Sequence, residues 1–248
     1  MGSAMARGWA GRDTVFVYDP LNDAMPEGAE RIDALNGLDQ EDLAIVLAVK
    51  PQVFGLLAPS LRALAEGNRL FVSIMAGLTL GGLSEALGGA QRIVRAMPNT
   101  PAAIGRGITA AASSKAITEA DRFRVTELFA PTGGLLWLDD ETQMDAVTAV
   151  SGSGPAYFFR FAEALAHAGA KAGLAPEIAM QLVRATFTGA AALAETEATD
   201  LADLRRQVTS PGGTTAAGLE LMDNGDVIDR LAESIVTAAA ARSRELAS

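Results

Sequence analysis

The stretch Leu43-Ala-Ile-Val-Leu-Ala-Val49 is a continuous apolar run of seven residues, and Lys50-Pro51 follows it directly. A run of this length without polar interruption is typical of a strand that is buried on both faces of a parallel sheet. A proline directly after such a strand indicates the first turn of a helix, where its missing N–H costs nothing. This strand–helix unit is the first indication of an α/β fold.

The same alternation extends along the chain on both sides of this unit. Strands are predicted over residues 14–18, 70–74 and 92–96, with weaker candidates over residues 107–113 and 134–138. Helices are predicted between them over residues 53–66, 80–87 and 119–130. Strands and helices that alternate at this spacing predict a mostly parallel, doubly wound sheet.

The second half of the chain has a different character. From about residue 142 onward the strand signals stop, and alanine- and leucine-rich helical patterns cover residues 155–171, 176–194, 200–207, 214–222 and 227–246. Their broad, small-residue-rich apolar faces are compatible with dimerisation and equally with a monomeric helical domain. We therefore expect an α/β domain over residues 1–148 and an all-α domain over residues 149–248.

The composition excludes several kinds of function. The chain of 248 residues is 49% hydrophobic, which excludes overall disorder, and its net charge of −10 makes nucleic acids and anionic membranes poor partners. It contains no cysteine and one histidine, His167, so thiolate and multi-histidine metal sites and cysteine nucleophiles are excluded. Without a membrane-length apolar run or a secretory signal, the expected location is the cytoplasm.

The N-terminus matches part of a dinucleotide-binding unit. In such a βαβ unit a glycine-rich turn precedes the helix, and an acidic residue about 20 residues further on binds the ribose hydroxyls. Met1 and Gly2 fit the end of that turn, and Asp19 fits the acidic position. The first strand and the first two glycines would then lie upstream of Met1, and without that central strand the domain would lose much of a typical stability of about 5–15 kcal/mol. A surface aspartate in an ordinary turn is an equally good interpretation of Asp19.

Three consecutive predicted strands end in small, glycine or proline residues. Ala48, Lys50 and Pro51 follow the first of these strands, Ala76 follows the second, and Asn99 follows the third. Open α/β sheets bind ligands at the carboxyl edge of their parallel strands, so these strand ends are candidate ligand contacts. Each of them alone would be an ordinary turn.

Two glycine-containing segments precede predicted helices of the second half. Ser151-Gly-Ser-Gly-Pro155 is a plausible anion or ring contact, and it does not fit a hydrolase nucleophile motif around Ser153 because glycines are absent at positions 151 and 155. Val208-Thr-Ser-Pro-Gly-Gly-Thr-Thr215 combines two glycines with hydroxyl donors, which predicts an anion-binding loop for a carboxylate or phosphate. The alternative is a glycine turn followed by threonine helix caps. The acidic run 139–141 is expected to remain solvated and to favour the dipole of the following helix rather than act in acid–base chemistry.

Together, segments 48–52, 73–80, 95–101, 149–157 and 208–215 resemble the pyrroline-5-carboxylate reductase family in order and spacing over nearly the whole chain. The resemblance implies an N-terminal Rossmann-like domain, a C-terminal helical domain that forms a homodimer, and assembly of dimers up to a decamer of five dimers. It implies reduction of L-1-pyrroline-5-carboxylate to L-proline by NADPH or NADH, the last step of proline biosynthesis. The implied nucleotide contacts are Met1, Gly2, Ala48, Lys50, Pro51, Ala76 and Asn99. The implied substrate contacts are Ser210, Gly212, Gly213, Thr214 and Thr215, with Ser151, Ser153 and Pro155 nearby.

Two residues modify what the resemblance implies. Asp19 would accept hydrogen bonds from ribose hydroxyls and repel a 2′-phosphate, so NADH is expected to be the better cofactor. Some relatives carry a hydroxyl residue where this chain has Arg160, so no proton donor is assigned. Two alternatives stay open, a β-hydroxyacid-type dehydrogenase and a non-catalytic dimeric protein. The first of these would need a catalytic lysine in the helical half, where only Lys171 is present.

Overall fold

The computed structural model describes residues 1–20, 25–35, 38, 43–197 and 199–247. The chain forms two compact units, of which the first contains Met1–Ser153 and Ala238–Ser248 and the second contains Gly154–Thr237. The boundary predicted between residues 148 and 149 lies shortly before the observed division between Ser153 and Gly154. As a functional division it stays a proposal.

The first unit is an α/β structure whose strands and helices follow the predicted alternation. Its strands are β1 (Phe16–Val17), β2 (Glu30–Arg31), β3 (Ala44–Leu47), β4 (Leu70–Ser73), β5 (Ile93–Met97), β6 (Gly107–Ser113) and β7 (Gly133–Trp137). Its helices are α1 (Gly2–Trp9), α2 (Pro51–Ala65), α3 (Leu80–Ala86), α4 (Glu119–Phe129) and α5 (Met144–Val147). The predicted Rossmann-like α/β architecture is thus confirmed. The short, polar and exposed strand β2 was not predicted, because Glu30 and Arg31 carry no apolar signal.

The strands form two sheets within the described residues. β3, β4, β5, β6 and β7 are neighbours in that order, and β1 pairs with β2 in a separate two-stranded sheet. All pairs are parallel except β5–β6, which is antiparallel. The connection from Met97 to Gly107 contains only a short 3₁₀ turn (Thr100–Ile104), and this is too short for the helical crossover that a parallel pair requires.

The core of this unit lies on both faces of the larger sheet. Because side chains alternate along a strand, Leu70 and Val72 of β4 belong to one cluster and Phe71 belongs to the other. The first cluster includes Met5 and Trp9 of α1 with Val125 and Phe129 of α4, and the second is built from apolar side chains of α2 and α3. Helices therefore cover both faces, which explains why the central strands are mostly apolar on both sides.

The second unit is entirely helical. Its helices are α6 (Gly154–Lys171), α7 (Pro176–Thr196), α8 (Leu201–Gln207), α9 (Thr214–Asp223) and the first part of α10 (Val227–Ala247). Several large apolar side chains of α6 and α7 are exposed in the single chain, among them Phe158, Phe159, Phe161, Leu165, Ile178 and Leu182. Within the described residues, none of these helices combines the length and hydrophobicity that crossing a membrane requires.

The last turns of α10 belong to the first unit. The Ser243 hydroxyl donates a hydrogen bond of 2.7 Å to the Asp145 carboxylate, which lies on α5. Ala240 and Ser243 are both buried. The C-terminal segment thus completes the packing around α5.

Candidate active site

The ends of three parallel strands form one edge of the larger sheet. β3, β4 and β5 run in the same direction, so their carboxyl ends lie at the same edge. Ala48, Lys50 and Pro51 follow β3, Ala76 lies between β4 and α3, and Asn99 follows β5. The structure therefore places these five predicted nucleotide contacts along a single sheet edge.

Lys50 and Pro51 begin helix α2 at this edge. Lys50 has an extended backbone (φ −69°, ψ 141°) as the residue before the helix, and Pro51 is the first helical residue. The Lys50 carbonyl accepts hydrogen bonds from the amides of Val53 at 2.9 Å and Phe54 at 3.3 Å, while its side chain is exposed. A helix N-terminus beside an exposed ammonium group favours an anionic ligand such as a phosphate.

Gly2 brings the start of α1 against the end of β3. A Cβ atom at Gly2 would lie 2.8 Å from the Ala48 Cβ, a distance that side chains do not adopt, so only glycine permits this approach. Met1, Gly2, Asp19 and Ala48 line one cavity of about 980 Å³. Glycine at a close approach to the sheet edge, followed by a helix N-terminus, fits the residues that hold a dinucleotide.

Asn99 connects this edge to the Ser151 segment. The Asn99 Oδ1 accepts a hydrogen bond of 3.0 Å from the Ile108 amide, and its Nδ2 donates to the Ser151 hydroxyl at 3.4 Å. Ser151 lies in a π-helical turn (Thr148–Gly152), and a Cβ at Gly152 would lie 2.9 Å from the Met97 Cε at the end of β5. The structure thus brings together one predicted nucleotide contact and one predicted substrate contact.

Ser153 and Pro155 lie on either side of the division between the two units. The Ser153 amide donates a hydrogen bond of 2.9 Å to the Thr148 carbonyl, which closes the π-helical turn in the first unit. Pro155 lies in the first turn of α6 in the second unit, as predicted.

The anion-binding loop precedes α9 in the second unit. Gly212 has φ +67°, and the Gly213 amide donates to the Ser210 carbonyl at 3.0 Å. Gly213 is the residue before the helix, no side chain caps that end, and Thr214 and Thr215 are the first helical residues. The alternative of threonine helix caps is therefore wrong. The first amides of the helix have no acceptor within it, so they are available to a small anion.

An ion pair at the same sheet edge was missed at the sequence level. The Arg95 side chain is 7% exposed, and it donates to the Glu141 carboxylate at 2.9 Å. The same Glu141 oxygen accepts the Leu80 amide, the first of α3, at 2.8 Å. The expectation that residues 139–141 stay solvated is wrong for Glu141, because its carboxylate pairs with the buried Arg95 side chain. An arginine inside the apolar strand 92–96 was the signal that could have indicated such a partner.

Asp140 fulfils the predicted interaction with a helical turn. Its carboxylate accepts hydrogen bonds from the amide and hydroxyl of Thr142, and these bonds hold the pKa of Asp140 below its usual value.

Arg160 and His167 are both exposed on α6, and Arg160 pairs with Glu163 at 4.0 Å. A catalytic role is assigned to neither residue.

Comparisons with known proteins agree on one family. The family profile described as pyrroline-5-carboxylate reductase dimerisation matches residues 141–246. The pyrroline-5-carboxylate reductase of Pseudomonas aeruginosa is 43% identical over 204 residues, which cover 82% of this chain and 74% of that protein. The enzyme of Pisum sativum is 41% identical over 202 residues, covering 82% of this chain and 73% of that protein.

Solved structures lead to the same family. A pyrroline-5-carboxylate reductase from Coxiella burnetii is 30% identical with a TM-score of 0.89, covering 100% of this chain and 95% of that chain. The Plasmodium falciparum pyrroline carboxylate reductase, solved with NADP bound, is 32% identical with a TM-score of 0.81, covering 100% of this chain and 96% of that chain.

Proposed function

Because the chain belongs to the pyrroline-5-carboxylate reductase family, we propose that it reduces L-1-pyrroline-5-carboxylate to L-proline with NAD(P)H in the last step of proline biosynthesis. The observation that carries this proposal is the 43% identity to the Pseudomonas aeruginosa enzyme over 82% of the chain. The sheet edge and the loop before α9 supply the two kinds of binding group that such a reaction needs.

The loop before α9 binds the substrate carboxylate in this proposal. Ser210, Gly212, Gly213, Thr214 and Thr215 present backbone amides and hydroxyls to an anion, and a helix N-terminus stabilises negative charge. Ser151, Ser153 and Pro155 contact the substrate from their own segment. A carboxylate held by several donors fixes the orientation of the ring that carries the imine.

The sheet edge binds the dinucleotide. Met1, Gly2 and Asp19 are assigned to the adenosine and pyrophosphate portion, and Ala48, Lys50, Pro51, Ala76 and Asn99 to contacts along the edge. The bound cofactor supplies the hydride. The residues of this chain bind and orient the reactants, and a protonated imine accepts a hydride at carbon without a strong general acid. This accounts for a site in which no histidine or cysteine is placed.

We assign NADH as the preferred cofactor because Asp19 follows β1 at the cavity that Gly2 also lines. A carboxylate there accepts hydrogen bonds from ribose hydroxyls and repels a 2′-phosphate.

The protein acts as a homodimer in this proposal, and further assembly of five dimers gives a decamer. The matching dimerisation profile and the exposed apolar side chains of α6 and α7 support self-association.

The test is the oxidation of NADH by the purified chain, followed by the loss of its near-ultraviolet absorbance with and without pyrroline-5-carboxylate. We expect oxidation that depends on this substrate and yields proline. Oxidation with a β-hydroxyacid's keto form instead would favour the related dehydrogenases. Quenching of tryptophan fluorescence by NADH separates an enzyme that binds the cofactor from a non-catalytic dimer, which would show none.

A further inference from the structure

Residues 141–152 form a helical segment whose three parts follow one another without a break. A 3₁₀ turn (Glu141–Gln143) leads into α5, and α5 leads into the π-helical turn (Thr148–Gly152) that carries Ser151. The Ser153 amide closes this turn on the Thr148 carbonyl, five residues earlier, where an α-helix would use the carbonyl four residues earlier. We call residues 141–152 the bridging segment.

Strand β5 holds the bridging segment at both of its ends. Arg95 and Met97 are two residues apart on the strand, so their side chains lie on the same face of the sheet. Arg95 donates to the Glu141 carboxylate at 2.9 Å, at the start of the segment. Met97 packs closely against Gly152, where a Cβ would lie 2.9 Å from the methionine Cε. The two ends of the segment are therefore fixed on one side only, by the sheet.

The C-terminal end of α10 holds the middle of the segment. The Ser243 hydroxyl donates to the Asp145 carboxylate at 2.7 Å across 98 positions of the sequence. Hydroxyls in helices commonly donate to the carbonyl four residues earlier, as Ser234 of the same helix does to Arg230 at 2.8 Å. Ser243 is 8% exposed and reaches out of its helix to a carboxylate, which makes this a strong, charge-assisted hydrogen bond.

The π-helical turn depends on such contacts. Turns of this kind are rare, and unfavourable backbone arrangements persist where the surrounding structure holds them. If the turn relaxed to the α-helical register, the residues beyond the change would rotate by about 100° around the helix axis. Ser151 would then leave Asn99, whose Nδ2 donates to the Ser151 hydroxyl at 3.4 Å. Because α5 has only four residues, a contact at Asp145 restricts the rotation of the whole short helix.

We propose that Ser243 is a positioning residue for the substrate: through Asp145 it keeps the Thr148–Gly152 turn in its π-helical form and Ser151 beside Asn99. The part of Ser151 in substrate binding rests on the proposed function, and the hydrogen bond that positions it rests on contacts within the first unit. The last turns of α10 thereby act on substrate binding through α5.

Three variants of the full chain test this role. Ser243→Ala removes the hydroxyl donor, and Asp145→Ala removes the acceptor of the same hydrogen bond. Ser234→Ala is the matched control, because it removes an exposed hydroxyl from the same helix. If one of the first two variants does not fold, the other one carries the test.

Hydrogen exchange reports on the π-helical turn directly. The Ser153 amide closes the turn, and the Phe71 amide, which bonds to the Arg92 carbonyl at 2.9 Å, is the reference for the stability of the sheet. Relative to Phe71, exchange at Ser153 should become about fivefold faster or more in Ser243→Ala and Asp145→Ala, because the turn opens without unfolding of the sheet. Ser234→Ala should leave this ratio unchanged. An unchanged ratio in the first two variants would overturn the proposal.

Steady-state kinetics separates a positioning role from a merely structural one. KM for pyrroline-5-carboxylate should rise about fivefold in Ser243→Ala, while KM for NADH should change by less than about twofold. The second KM is little affected because the Ile108 amide still holds the Asn99 Oδ1 at 3.0 Å. Loss of stability alone would move neither KM at temperatures well below the unfolding midpoint. An equal rise in both KM values would overturn the proposal.

Two further variants show whether Ser243 acts through Asp145. Asp145→Asn keeps an oxygen that can accept the hydroxyl, so KM for pyrroline-5-carboxylate should rise less than in Asp145→Ala. The double variant of Ser243→Ala and Asp145→Ala should raise this KM no more than either single change, because both changes break the same contact. Additive effects in the double variant would contradict the pairing.

The hydrogen exchange measurement needs no substrate, so the inference and the proposed function can fail separately. If the unaltered chain does not oxidise NADH with pyrroline-5-carboxylate, the proposed function is refuted, and the Ser153 amide alone decides whether Ser243 holds the turn. If the unaltered chain is active and Ser243→Ala leaves KM for pyrroline-5-carboxylate unchanged, the proposed function stands and the positioning role is overturned.

Discussion

Gly212 holds the loop before α9 in the left-handed backbone region, with φ +67°. Apart from the neighbours of Gly212 in the chain, no described atom lies within 4 Å of a Cβ built there, so Gly212→Ala introduces backbone strain without a clash. The left-handed conformation costs a non-glycine residue about 1–2 kcal/mol. If the loop relieves this strain by leaving its binding geometry, KM for pyrroline-5-carboxylate rises about five- to thirtyfold, as steady-state kinetics will show.

The matched control for this variant is Gly225→Ala. Gly225 has φ +64° and lies after α9, outside the proposed substrate loop. Gly225→Ala should lower the free energy of unfolding by about as much as Gly212→Ala does, and it should leave KM for pyrroline-5-carboxylate unchanged. A rise in KM for both variants would indicate general destabilisation and contradict the specific role of Gly212.

Asp19 is the residue that sets cofactor choice in the proposed function. Asp19→Ser removes the negative charge that repels a 2′-phosphate, so the ratio of kcat/KM for NADPH to that for NADH should rise by about tenfold. Asp33→Ser is the control, because the Asp33 side chain is 96% exposed and lies 3.7 Å from Arg31. A tenfold preference of the unaltered chain for NADPH would refute the assignment.

At the level of elements, Glu141 links β5 to the start of α3 through Arg95 and the Leu80 amide. Glu141→Gln can keep both hydrogen bonds but removes the charge that compensates the buried guanidinium. Because Glu141 is 26% exposed, we expect a loss of about 2–3 kcal/mol in the free energy of unfolding, below the cost for a fully buried pair. KM for the dinucleotide should rise too, since Ala76 lies in the loop that this pair holds.

Urea denaturation of three variants beside the unaltered chain checks the Glu141 prediction. Glu85→Gln makes the same charge change on the exposed face of α3 and should cost less than about 0.5 kcal/mol. Arg95→Met combined with Glu141→Gln should be more stable than Glu141→Gln alone, because no buried charge is left unpaired. A double variant that is no more stable than the single one would contradict this account.

The start of α4 gives a pH dependence. Burial raises the pKa of Asp121, but hydrogen bonds from Arg92 and from the amide and hydroxyl of Thr118 outweigh it, and the pKa is lowered from 3.8. A carboxylate with a lowered pKa in the folded state contributes stability above its unfolded pKa, and this stability is lost as the pH falls through the folded pKa.

Asp121→Asn should therefore lower the free energy of unfolding at neutral pH by about 1–3 kcal/mol, and the deficit should shrink as the pH falls below about 4. Guanidinium denaturation at a series of pH values measures it. The control is Glu119→Gln in the same helix turn, where the side chain is 96% exposed. A deficit that is constant with pH would show that the carboxylate charge does not contribute.

The sequence was sufficient for elements with a strong apolar pattern and insufficient for those fixed by contacts. β3 was predictable because an uninterrupted apolar run of this length is typical of a strand buried on both faces. The start of α2 was predictable because Pro51 follows this run directly. β2 has no such pattern, because its pairing with β1 uses backbone groups, which any residue can supply. The role of Glu141 depends on Arg95, far away in sequence, and no local pattern encodes such a contact.

In the whole molecule, the exposed apolar side chains of α6 are the candidate dimer surface. Phe161 and Leu165 are four residues apart on this helix, so they lie on the same face, and they are 54% and 48% exposed. Changing both to Glu places carboxylates in the proposed apolar interface, so the proposed dimer should dissociate. Light scattering with size-exclusion chromatography should then give the mass of one chain, 25.6 kDa.

Phe123→Glu is the matched control for the dimer prediction. Phe123 is 70% exposed on α4, outside the segment that matches the dimerisation profile. This variant should keep the mass of the unaltered chain, which is expected to be at least that of a dimer. Dissociation by Phe123→Glu, or none by the paired α6 changes, would place the interface elsewhere. The apolar faces of these helices could be predicted from the sequence. Whether a second copy of the chain covers them could not, because a helix that packs within one chain and a helix that packs against a second chain show the same apolar pattern.

The hydrogen bond between Ser243 and Asp145 has a consequence for the order in which the protein acquires its structure during translation. The ribosome releases the N-terminal end first, and domains generally fold as they emerge. Yet the first compact unit includes Ala238–Ser248, so its packing cannot be completed until these residues have been synthesised. The packing of the first unit around α5 therefore stays incomplete while the ribosome synthesises the entire helical unit.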